Sequence, residues 1–218
     1  MTAEPRSPPP LRRRAPDAAA IRSEYARLAR RYDRRWEAYT RATVRATLRR
    51  FTVAEGERLL DVGCGTGVLL EALARAAPRA LLTGVDASRE MLAVARARLG
   101  AAARLLHGDV ASLPFAAACF DVAVSTNAFH LWVDPAASLR ELRRVVKPGG
   151  RLIVTDWCHD YLACRVCDAA LRLFRRTPHR SYAARECAAL LGAAGFRVER
   201  LDTYKINWLW GMMTAAAR

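Results

Sequence analysis

Lysine is almost missing from this 218-residue chain: Lys147 and Lys205 are the only two among 36 basic residues, and the others are arginine. Uniform arginine, in a chain also rich in alanine, reads as a coding bias rather than as a phosphate-binding face. The formal charge of +15 is unevenly placed. Residues 1–58 hold 15 basic and 7 acidic groups, residues 59–157 hold 11 and 9, and residues 158–218 hold 10 and 5. The middle of the chain is nearly neutral, so no nucleic-acid partner is singled out, although the basic first segment leaves one open. Long apolar runs are missing too. No stretch is long enough to span a bilayer and no secretory h-region is present, so the expectation is a soluble, cytoplasmic protein. Six cysteines, Cys64, Cys119, Cys158, Cys164, Cys167 and Cys187, are spread along the chain, which fits free thiols in a reducing compartment. The length suffices for one domain burying roughly 70% of its extended surface.

The best-organised stretch is residues 59–73, LLDVGCGTGVLLEAL. Leu59, Leu60, Asp61, Val62 and Gly63 read as a buried strand running into a turn with glycine at 63, 65 and 67. Val68, Leu69, Leu70 and Leu73 then recur with helical spacing. Glycines suit a turn that needs positive φ and lets a ligand approach backbone amides. A dinucleotide fits poorly: its pyrophosphate would meet Asp61, and the third glycine of GxGxxG would fall at Val68. A ligand with an ammonium group, a sulfonium and a ribose, but no phosphate, suits a carboxylate there.

The segment DVGCGTG resembles the first motif of class I S-adenosylmethionine (SAM) methyltransferases. The wider pattern is similar to the methyltransferase type 11 group, which includes ubiquinone and menaquinone biosynthesis enzymes. That resemblance implies a doubly wound, Rossmann-like α/β fold: a mainly parallel seven-stranded sheet, an antiparallel last strand and helices on both faces. It implies SAM as cofactor, with Asp61, Gly63, Cys64, Gly65 and Gly67 at its methionine and ribose end.

Along the chain, residues 1–17 form a Pro/Arg-rich tail expected to be disordered, followed by a single domain over 18–218. Within it, residues 18–51 are expected to form a cap of one or two helices, carrying Ile21, Tyr25, Leu28, Tyr32, Trp36 and Tyr39 at three- and four-residue steps. Such a stripe packs against a core, or, as in the family it resembles, closes a tyrosine over the sulfonium. Tyr32 is the first choice for that lid and Tyr25 the second; a ring facing a desolvated cation contributes about 1 kcal/mol or more. A second strand, residues 80–85, ends at Asp86, and 23 residues after Gly63 is the interval at which a doubly wound fold sets an acid against ribose hydroxyls. Ala87 follows it, and Met91 on the next helix is placed against adenine. A third strand, residues 104–107, leads to Gly108, Asp109 and Val110, which by resemblance bind the adenine amine and a ring nitrogen. An Asp after a strand is also an ordinary turn residue.

A fourth strand, residues 120–125, precedes a loop at the sheet's C-terminal edge, where open parallel sheets bind ligands. Asn127, Phe129 and His130 are expected there. Asp134 and Pro135 open the next helix, with Val145 and Val146 inward. A fifth strand follows over residues 151–155, then helical patterns, then a terminal hairpin over 196–201 and 206–213. His130 and His159 are the candidate bases if the acceptor is a hydroxyl or an acidic carbon, although a lone His among Phe129, Leu131 and Trp132 is more often structural. The group Cys158, His159, Cys164 and Cys167 lies inside a predicted helix without a second CxxC, and packing cysteines explain it better than zinc, so no metal is expected. Tyr25, Trp36, Phe129 and Trp157 are the candidate acceptor contacts. Their aromatic character favours a small hydrophobic or aromatic acceptor. Two alternatives stay open: an RNA or protein methyltransferase using the basic N-terminal region, and a non-catalytic SAM-binding regulator.

Overall fold

The computed structural model describes residues 18–174 and 180–218; the tail expected over 1–17 lies outside the described residues. The chain opens with one helix, α1 (Ala18–Leu48), and then alternates: β1 (Arg58–Val62), α2 (Val68–Ala76), β2 (Leu81–Asp86), α3 (Arg89–Leu99), β3 (Arg104–His107) and β4 (Phe120–Thr126). A short 3-10 turn (Phe129–Leu131) leads to α4 (Pro135–Val145), β5 (Val146–Trp157), α5 (Leu162–Phe174), α6 (Ala184–Ala193), β6 (Val198–Lys205) and β7 (Gly211–Ala217). The strands form one seven-stranded sheet in the order β3-β2-β1-β4-β5-β7-β6. Only β7 runs against the rest, pairing antiparallel with both β5 and β6.

Alternation along β1 sorts the core into two layers. Leu59 packs with Leu69, Leu70 and Leu73 of α2 and Leu92 of α3 on one face. Leu60 and Val62 pack with Leu139 and Leu142 of α4 and Leu191 of α6 on the other. Strand order reverses between β1 and β4, so the loops leaving those two strands part at a topological switch point, where such sheets hold ligands. Helix starts follow the expected chemistry in part: Ser88 accepts from the Met91 amide at α3, and Asp134 from the Ala137 amide at α4, with Pro135 following.

Two boundaries differ from expectation. Val146 is not the end of α4 but the start of β5, opposite Phe120; the strand then bulges before Arg151 pairs with Val122. At the hairpin, the Asn207 side chain accepts from the Leu209 and Trp210 amides and turns residues 206–210 out of the sheet. The final strand is instead the alanine-rich end of the chain. Ala215 and Ala217, fully buried, fit the tight centre between β5 and β6, a tertiary demand that outweighs alanine's weak strand preference.

Candidate active site

At the switch point the turn after β1 is hooked onto β2, since the Gly63 and Cys64 amides both donate to the Val85 carbonyl. Gly63 has φ +72, and a Cβ there would lie 2.5 Å from Ala128 Cβ in the loop after β4. Gly65 has φ +53, and a Cβ there would enter open space. The glycines thus serve different ends: Gly63 lets two loops touch, and Gly65 leaves a backbone wall bare. Gly67 begins α2 in the left-handed region, and a Cβ there would strike Leu99 at 2.8 Å. It is a packing glycine between α2 and α3 and does not line the cavity that the other two border.

That cavity has a volume of about 170 Å³. Asp61, Gly63, Cys64 and Gly65 border it from β1 and its turn, Asp86, Ala87 and Met91 from β2 and α3, and Gly108, Asp109 and Val110 from the segment after β3. Asn127 closes it from the loop after β4, and Tyr25 and Tyr32 cover it from α1. Asp86 is oriented by two backbone donors, the Gly65 amide on Oδ2 and the Ser88 amide on Oδ1, each at 2.8 Å. Burial raises its carboxyl, and those two amides partly offset the rise. Asp109 accepts from the Ala111 amide at 2.9 Å, so one oxygen makes a local turn while the residue borders the cavity.

Asp61 is only 2% exposed. Burial first, and the neighbouring Asp86 charge second, push its carboxyl up to about 8, with no lowering contribution from any described neighbour. A buried carboxyl of this kind stays protonated near neutral pH, and a cation beside it would favour its ionised form. Burial, then the charges of Asp33, Asp86 and Asp156, hold the Tyr32 phenol at about 12, so its hydroxyl stays neutral over the cavity.

The cover is latched. Asp33, on α1 beside Tyr32, accepts from Thr66 Oγ1 at 2.6 Å and from Arg98 of α3; Arg98 also donates to the Thr66 carbonyl and to Glu71, both at 2.9 Å. One guanidinium ties α1, the glycine turn, α2 and α3 together.

A second cavity, of about 220 Å³, adjoins the first and shares Tyr25, Tyr32 and Asn127 with it. Its other walls are Leu28, Trp36 and Tyr39 of α1, His130, Trp157, Cys167 and Ala170 of α5, and Trp210. Tyr39 donates to Asn127 Oδ1 at 2.7 Å and accepts from Trp157 Nε1. Asn127 itself sits at φ +58, an uncommon backbone for a residue other than glycine, with its amide fixed to the Thr155 carbonyl. His130 is 6% exposed and stacks on Trp157 with ring centroids 5.2 Å apart and planes at 13°. Its Nδ1 lies 2.8 Å from Asp156 Oδ1. Asp156 is in turn fixed by the backbone amides of His130 and Trp157, at 2.9 and 2.7 Å.

Of the residues singled out from the sequence, the structure brings Trp36, Trp157 and His130 to this second cavity and Tyr25 to both. It corrects two. Phe129 borders neither cavity: it is fully buried, with Trp132 at 5.0 Å and Tyr182 at 4.6 Å between ring centroids, because the 3-10 turn rolls it into the core. His159 is also outside both, bonded through Nδ1 to Ser181 Oγ at 2.8 Å. Cys158 and Cys164 are buried with local acceptors, Asp160 and the Gly211 carbonyl. Sequence reasoning put Tyr39 in the stripe of the cap helix without assigning it to the site, and missed Asp156 and the Asp33–Arg98 latch. The step of seven from Tyr25 to Tyr32 to Tyr39, two helical turns each, could have shown the first. The end of β5, a neighbour of the switch point, could have shown the second.

Residues 60–154 match the family model described as a methyltransferase domain. Over that stretch, just under half of its length, the chain is similar to class I SAM-dependent methyltransferases. Among curated relatives, the chain is 41% identical over 113 residues to the demethylmenaquinone methyltransferase of Corynebacterium kroppenstedtii, covering 52% of the chain and 47% of the relative. It is 45% identical over 95 residues to the malonyl-[acyl-carrier protein] O-methyltransferase of Herminiimonas arsenicoxydans, covering 44% and 35%. It thus spans about half or less of the length of these relatives. The solved SAM-dependent methyltransferase of Aquifex aeolicus has a TM-score of 0.68 at 24% identity, covering 89% of this chain and 96% of that one, which shows the shared fold. The cofactor of the methyltransferases it resembles is SAM, and the residues of the first cavity are of a kind that fits it: a buried acid, a bare glycine wall and a strand-end acid anchored by two amides.

Proposed function

We propose that this chain is a methyltransferase that moves the methyl group of SAM to a small hydrophobic or aromatic acceptor held in the second cavity. The observation that carries the reading is the shared wall: two cavities, one suited to the cofactor and one lined by aromatic rings, meet at Tyr25, Tyr32 and Asn127. When bound, SAM supplies an electrophilic methyl on a positively charged sulfur. Asp61 holds the ammonium end, Asp86 the ribose hydroxyls, and Asp109 with Val110 the adenine. Tyr25 and Tyr32 cover the cofactor and exclude water, while Asn127, locked by Tyr39 and the Thr155 carbonyl, keeps the boundary between the cavities fixed. Holding two reactants in line can supply roughly 7 kcal/mol or more of the barrier reduction. The work of this chain is therefore chiefly positioning.

One domain over residues 18–218 suffices for this role. Among the described residues no helix is long and apolar enough to cross a membrane. The acceptors in the names of the two relatives, demethylmenaquinone and malonyl-[acyl-carrier protein], differ too much to transfer. Titration calorimetry with SAM, repeated on Asp86→Ala, tests the cofactor half: binding by the parent chain and at least about a tenfold loss in the variant are expected from removal of charge-assisted bonds. Salt-insensitive turnover separates a small acceptor from RNA, whose binding would fall steeply with salt. Tight SAM binding without consumption in the presence of acceptor pools would refute the enzymatic reading.

A further inference from the structure

We propose that the surface formed by the outer side of α5 and the loop between β6 and β7, beside the second cavity, docks on a lipid bilayer bearing anionic headgroups. The sequence sets Leu162 and Val166 one helical turn apart on α5, with Cys164 and Asp168 in the same spacing on the opposite side. The helix buries Cys164 and Asp168 and turns Leu162 and Val166 outward, at 72% and 60% exposure. Trp208, at the tip of the loop, is 84% exposed. That tip is built: the Ile206 amide donates to the Trp210 carbonyl, and Asn207 Oδ1 accepts from the Leu209 and Trp210 amides.

Helix and loop are packed together. Cys164 Sγ donates to the Gly211 carbonyl at 3.2 Å, Lys205 Nζ lies 5.8 Å from the centre of the Tyr161 ring, and a Cβ on Gly211 would strike that ring at 2.0 Å. Single exposed apolar side chains need no explanation, but three of the five large ones exposed among the described residues lie on these two joined elements.

Charge selects the occupant. Arg165 is exposed between Leu162 and Val166, Lys205 flanks the loop, and Arg35 is exposed over Trp36, whose ring borders the second cavity. Acids of the same segments are engaged: Asp160 accepts from the Ala184 amide, Glu37 pairs with Arg41, and Asp202 pairs with Arg50 and Arg200. The outer side of α1 adds exposed Arg27, Arg31, Arg34, Arg45 and Arg49. Tryptophan settles at headgroup level, aliphatic side chains enter the acyl boundary, and arginine and lysine reach back to phosphates. A second copy would set a charge of +15 against itself, and RNA bases would stack on Trp208 but find nothing in Leu162 and Val166. Trp210 of the loop and Cys167 and Ala170 of α5 are also walls of the second cavity. An acceptor dissolved in the bilayer then reaches that cavity without crossing water, a consequence that rests on the methyl-transfer reading, whereas the docking does not.

The test sediments the full chain with vesicles of phosphatidylcholine, alone or mixed with phosphatidylglycerol. Binding to the mixed vesicles that falls as salt rises, with little binding to phosphatidylcholine alone, is expected. Leu162→Ser combined with Trp208→Ser should weaken that binding about tenfold, since a shallow apolar anchor and charge are both needed. Tm and SAM affinity should stay at the parent's values, which shows that the variant is folded. Trp208→Phe should keep the binding and lose most of the quenching of tryptophan emission by brominated lipid. No sedimentation with either vesicle, equal sedimentation with both, or binding indifferent to the double substitution overturns the proposal. So do dimers, or retention on poly(U), in a chain that ignores vesicles. Failure of the parent to bind SAM, measured by calorimetry, would overturn the methyl-transfer reading and leave the docking standing.

Discussion

Replacing Asp61 with Asn should stabilise the cofactor-free protein while removing its grip on SAM. The native carboxyl is raised from 3.8 to about 8. In the unfolded chain it returns to the ordinary range, so between those values the folded state binds more protons than the unfolded one. Stability therefore falls as pH rises from about 4 to about 8, and the loss is complete above that range. At about 1.4 kcal/mol per unit the shift sets a ceiling of about 6 kcal/mol, and water entering a ligand-sized cavity reduces this to about 1–3 kcal/mol. Asn keeps the shape and carries no charge to desolvate. For a chain of this length, the Tm of Asp61→Asn should exceed that of the parent by about 3–8 °C at pH 8, and the gap should close at pH 4.5. Thermal melts across that range, with and without SAM, provide the measurement. SAM should raise the parent's Tm and leave the variant's nearly unchanged. A variant no more stable than the parent at pH 8, or equal stabilisation of both by SAM, would refute the role assigned to this carboxylate.

Gly63→Ala places a Cβ 2.5 Å from Ala128 Cβ at a φ of +72. It should lower stability by about 1–3 kcal/mol and abolish SAM binding, as seen in melts and calorimetry. Arg98→Gln removes the latch between α1 and α3 and should speed cofactor release about tenfold in stopped-flow displacement, with little change in Tm because the ion pair is partly exposed. Phe129→Leu separates packing from substrate contact: a loss of about 1–2 kcal/mol in stability with KM for the acceptor unchanged is expected. A raised KM at unchanged Tm would place its ring in the acceptor site.

Sequence patterns carried the first cavity further than the second. The run from Leu59 to Leu73 shows its turn because glycine spacing and apolar periodicity change together at one place, and Asp86 follows from a fixed interval in doubly wound sheets. Those features are local in the chain. The second cavity is assembled from residues far apart: Tyr39 meets Asn127 across 88 positions and Trp157 across 118. His130 and Asp156 are 26 residues apart and meet only because β4 and β5 are neighbours. Phe129 shows the limit most plainly. In a run of Phe, His, Leu and Trp, apolarity cannot say which ring turns inward, and a single 3-10 turn decides it. The last strand failed for a related reason, since three alanines read as strand only once the space between β5 and β6 is known.

Tyr25, Tyr32 and Asn127 are counted once by the chain but twice by its cavities. Whatever enters the first cavity restricts the rotamers of the same side chains that shape the second, and ordering them once spares the later arrival that entropy. Linkage then makes the effect mutual: an acceptor that tightens the hold on the cofactor must be tightened by the cofactor to the same extent. The two occupants should therefore bind as a cooperative pair, the cofactor acting as a template for its own acceptor. Acceptor selectivity measured on the empty protein should be broader than selectivity measured on the loaded one.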